Sequence, residues 1–131
     1  MGDLCARCRF ARSITIKGMN TDEKNERQAG LEKKWAAWTE RAEVARAQMQ
    51  PEVEAAADAI AAAYKQLMES NAAEPEVLVK ANKLRKRIES AEQHRTMAAE
   101  HGLNDEAIDV TYEIQKLETE LVELIEQWAR L

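Results

Sequence analysis

From position 104 to position 131 the chain reads NDEAIDVTYEIQKLETELVELIEQWARL. Ala107, Val110, Ile114, Leu117, Leu121, Leu124, Trp128 and Leu131 recur at alternating steps of three and four, which puts them on one stripe of an α-helix. A repeat of that period is the seam along which helices pack side by side. Asn104 suits the helix cap, and Asp105 and Glu106 place negative charge where the first turn presents unpaired N–H groups.

Just before this stretch, His101-Gly102-Leu103 is a helix stop, with a glycine for the left-handed cap and an apolar residue after it. Upstream of the stop a second stripe runs through Val77, Ala81, Leu84, Ile88, Ala91, Arg95 and Ala98, opened by Pro75. Folding the two stripes together about Gly102 sets Ala91 against Ile114, Ile88 against Leu117, Leu84 against Leu121, Ala81 against Leu124 and Val77 against Trp128. Charge supports the pairing, because the upstream helix sums to +2 and the downstream one to −6, and the same register brings Arg85 near Glu118. The basic run Lys83-Leu84-Arg85-Lys86-Arg87 is therefore expected to face an acidic helix and solvent rather than nucleic acid.

Between Asn20 and Ser70 the pattern is also helical. Leu31, Trp35, Trp38, Ala42, Ala45 and Met49 form one stripe, and Val53, Ala57, Ile60, Tyr64 and Leu67 resume it after Pro51. No Gly, Asn, Asp or Ser lies in 48–52 to build a reversal, so the sequence favours one long helix kinked at Pro51. The expected fold is all-α: a long kinked N-terminal helix plus an antiparallel coiled-coil hairpin, three helices in all, or four if the chain turns back at Pro51. Unbroken, the first helix would span roughly 75 Å against about 40 Å for each of the others. Its overhang would carry Leu31, Trp35, Trp38 and Met49, and large apolar side chains left uncovered are expected to anchor another chain.

The composition agrees with long helices: 33% charged residues, 5% aromatic, and only two prolines in 131 residues. Residues 1–18 stand apart as an expected flexible basic leader of net charge +3, against −8 for the rest, and 19–131 is the expected helical domain. An acidic body repels phosphates, which argues against nucleic acid and anionic membranes as partners. No apolar run reaches the ~18 residues of a membrane span, and Arg7 and Arg9 interrupt any signal-like core, so a cytoplasmic location is expected. Cys5 and Cys8 form a C-x-x-C pair. One pair is half a tetrahedral site, so the metal expectation is a zinc ion shared between two chains. Otherwise no cofactor is expected.

Glu89-Ser90-Ala91-Glu92 followed by Glu106-Ala107-Ile108-Asp109 resembles the E-x-x-E and E-x-x-D carboxylate pairs of all-α, MazG-like nucleotide pyrophosphohydrolases. The resemblance spans residues 89–109 and implies Mg2+ held against a triphosphate by those four carboxylates. No nucleophile–base set or glycine-rich phosphate loop accompanies it. The leading expectation is a non-enzymatic assembly or adaptor protein that self-associates, as a homo-oligomer, or docks on a protein partner. A small acidic inhibitor of another macromolecule and the pyrophosphohydrolase are the alternatives.

Overall fold

The structure is a computed structural model and describes residues 21–130. Cys5, Cys8 and the boundary expected at residue 18 lie outside them. Four helices account for most of the described chain: α1 (Thr21–Ala47), α2 (Pro51–Met68), α3 (Glu76–Glu100) and α4 (Asn104–Ala129). They form an all-α bundle made of two hairpins, α1 with α2 and α3 with α4.

The long kinked helix expected at the N-terminus is instead two helices. Near its start, α1 sends Arg27 to the carbonyl of Ser70 at 3.2 Å, beyond the end of α2. Near its end, Arg46 meets Glu54 in the first turn of α2 at 2.7 Å. The two helices are therefore antiparallel. The reversal is a Schellman closure: the N–H of Gln50 donates to the carbonyl of Ala45 at 2.9 Å and that of Met49 to Arg46 at 3.1 Å. Met49 occupies the left-handed position of the motif, with φ of 59°. Pro51 then opens α2, where its missing N–H costs no hydrogen bond.

The α3–α4 turn uses the same motif with the usual residue. Leu103 donates to Ala98 at 2.8 Å and Gly102 to Ala99 at 3.1 Å, with Gly102 at φ of 73°. Asn104 is the first residue of α4 rather than its cap, and Pro75 precedes α3 as its cap residue.

One apolar cluster closes the two hairpins on each other through Leu31, Trp38, Ile60, Tyr64, Leu78 and Leu121, with residues from all four helices. A second cluster, of Ile88, Ala91, Val110, Ile114 and Leu117, is α3 against α4 alone. From Ile88 outward, the core of the second hairpin is thus its own.

Candidate functional site

Of the side chains expected to reach another chain, Leu31 (5% exposed) and Trp38 (0%) belong to the protein's own core. The break at Met49 brings α1 back over α2 and α3 and covers these two side chains within the chain. Trp35 lies at the rim, 36% exposed, and Met49 is 87% exposed. In the α3–α4 hairpin, Ile88, Ile114, Leu117 and Leu121 are buried, whereas Val77, Leu84, Leu124 and Trp128 are half-buried and pack against the core from its edge.

Burial on α3 is centred to one side of the expected stripe. Leu78, Asn82 and Arg85 are buried there because α3 has α1 as a second neighbour. Along that line runs a polar network that hydrophobic periodicity does not reveal. The Trp38 indole N–H donates to Asn82 Oδ1 at 3.0 Å, and Asn82 Nδ2 donates to the Tyr64 hydroxyl, which in turn donates to Glu74. Lys34 holds the other side of that carboxylate at 3.1 Å. Burial, reinforced by the neighbouring Glu74 carboxylate, raises the Tyr64 hydroxyl above its ordinary range. Buried polar groups that are fully paired fix one packing arrangement, so this network sets how the hairpins align.

Arg85 was expected to pair with Glu118. It bonds instead to Glu89 on its own helix at 2.8 Å and lies over the Trp38 ring at 5.6 Å. Arg41, 8% exposed, makes a two-pronged pair with Glu92 at 2.9 Å on each side. Those hydrogen bonds hold its guanidinium charged despite burial. Glu118 accepts from Gln50 Nε2 at 3.2 Å, and burial raises its carboxyl above the ordinary range.

These contacts also place three of the four carboxylates of the pyrophosphohydrolase-like pattern. Glu89 and Glu92 are turned to arginines, and Glu106 pairs with His94 across the hairpin turn. Among the described residues no three His, Cys, Asp or Glu side chains gather closely enough to hold a metal ion. No described helix is long and apolar enough to cross a membrane.

Large exposed apolar side chains are Met49, at the α1–α2 turn beside the middle of α4, and Met97, Leu103, Ile108 and Tyr112 around the α3–α4 turn, with Trp35 and Val79 exposed elsewhere. Met49 shares a groove of about 500 Å3 with Val53 and with Gln115, Thr119, Val122 and Glu126 of α4. The α4 residues of that groove continue, at steps of four and three, to Tyr112 and Ile108. Four carboxylates, Glu52, Glu118, Glu123 and Glu126, line the groove and no basic side chain does. A larger groove of about 770 Å3 lies between α1 and α3, but its charged groups, Arg41 with Glu89 and Glu92, are already paired with one another, apart from the buried Arg41 Nε, which has no hydrogen-bond partner. Compared with known protein families, curated proteins and solved structures, the chain matches none.

Proposed function

We propose that this protein is a non-enzymatic helical binding module that docks a protein partner on the outer face of α4 and the adjoining α1–α2 turn. The observation that carries the reading is Met49. A methionine costs about 1 kcal/mol or more in the left-handed region, where Gly or Asn sits with less strain. Here it occupies that position while 87% exposed. Strained residues with outward side chains are characteristic of binding surfaces, and the exposed Ile108 and Tyr112 of α4 continue the row of residues that shares a groove with Met49.

The acidic groove beside Met49 favours a second form of the same reading, a small inhibitor that presents carboxylates to a basic target. In either form the setting proposed is the cytoplasm. The assembly role expected of Trp35 and Trp38 is proposed for the α4 face instead, because Trp38 is buried in the core.

Affinity capture with the immobilised chain tests the proposal, comparing wild type with Ile108→Ser/Tyr112→Ser. Both residues are more than half exposed, so the variant should keep its helical circular dichroism. The reading expects a saturable partner held by wild type and lost by the variant. Equal capture by both, or Mg2+-dependent release of pyrophosphate from nucleotides that Glu92→Gln abolishes, would overturn it.

A further inference from the structure

The partner's chemistry can be read from the same face, and this step rests on the docking function just proposed. We infer that the α4 row Ile108, Tyr112, Gln115, Thr119, Val122, Glu126 receives a cationic amphipathic helix of another protein.

The row steps by four, three, four, three and four, which is the spacing of a helix–helix seam. α4 therefore carries two seams. Val110, Ile114, Leu117 and Leu121 form the inner one and are buried by the bundle. The outer one leaves Ile108 53% and Tyr112 66% exposed, while Val122 is half-buried against the edge of the bundle's own core. From 108 to 126 it runs about 27 Å, the length of a helix of roughly 18 residues. Met49 and Val53 wall one side of its lower half, so an incoming helix meets a groove there rather than a flat face. Helices laid in such grooves anchor through residues at the same spacing.

Charge selects the occupant. The groove presents the exposed Glu52, Glu123 and Glu126, Glu118 being buried and bonded to Gln50, and the outer half of the row is flanked by Asp105 and Asp109. Lys116 is the sole basic residue of α4, Asn104–Ala129. A second copy of this chain docking α4 on α4 would set these carboxylates against each other, which like-charge repulsion opposes. A helix with lysines or arginines beside an apolar stripe meets both features of the groove. It also leaves Arg46 undisturbed, since that side chain is satisfied by Glu54.

The test uses the whole chain and two synthetic helices of about 18 residues, a length matched to the row. Both carry the same leucine stripe, flanked by lysines in one and by glutamates in the other. Binding is followed through the methyl resonances of Met49, Ile108 and Val122. The lysine helix is expected to shift all three with Kd on the order of 10 µM. Glu52→Gln/Glu123→Gln/Glu126→Gln should weaken it about tenfold or more, as should raising the salt severalfold, because exposed charge pairs are screened. The glutamate helix should not bind.

If both helices bind equally at these methyls, the face docks helices but charge does not choose them; the inference fails while the docking function stands. If neither shifts them, both fail. Shifts that grow with protein concentration alone would identify a second copy as the occupant, and shifts produced by deleting residues 1–18 would identify that segment. Either result overturns the inference.

Discussion

Trp38 is closed off from solvent and donates its indole N–H to Asn82, whereas Trp35, one turn earlier, remains 36% exposed. Replacing Trp38 by Ala should therefore cost about 3–5 kcal/mol in a denaturant titration, and the same change at Trp35 under about 1 kcal/mol. Periodicity alone could not separate the two, since both lie on the same stripe of α1 and only the partner helix decides which is covered. Glu118 makes a second prediction at this scale. Burial raises its carboxyl, so the folded state takes up a proton more readily than the unfolded chain, and stability attributable to this group falls as pH rises through the folded value. Glu118→Gln should remove that decline and stabilise the protein at about pH 8 more than at about pH 4, because the replacing amide oxygen still accepts from Gln50 without carrying a buried charge. Equal effects at the two pH values in thermal melts would contradict it.

The two hairpin turns share one backbone motif, and they should respond oppositely to substitution. Gly102→Ala forces a side chain into the left-handed region and should cost about 1 kcal/mol, whereas Met49→Gly relieves the same strain and should gain about 0.5–1 kcal/mol. This contrast also explains what could be read in advance. Gly102 announces its turn, so the α3–α4 hairpin was legible; Met49 lacks that signature, so Pro51 suggested a kink instead of the first position of a new helix. The polar network was hidden for a related reason. Asn82 and Arg85 lie beside the apolar stripe of α3, on the line that faces α1, and become core positions only when α1 folds back. Arg85→Glu should accordingly destabilise by about 2 kcal/mol, losing both the Glu89 pair and the Trp38 face, and Glu118→Arg should not restore it. Recovery in that double variant would instead support the pairing expected from the heptads.

Over the whole described molecule, two hairpins are joined by one shared core and a polar network, while the outer end of α3–α4 stands on its own cluster. The surface proposed to bind, the outer row of α4, is left uncovered because the fold consumes the tryptophan stripe elsewhere. Everything proposed about binding therefore depends on Trp38 being covered within a single chain. The direct measurement is fluorescence of the Trp35→Phe/Trp128→Phe variant, in which Trp38 is the remaining indole, taken at concentrations where light scattering gives the monomer mass. The fold described predicts blue-shifted emission, strong protection from acrylamide, and no change on dilution. Red-shifted, readily quenched emission in the monomer, turning blue as the chain associates, would contradict it and return the tryptophans to an interface between chains.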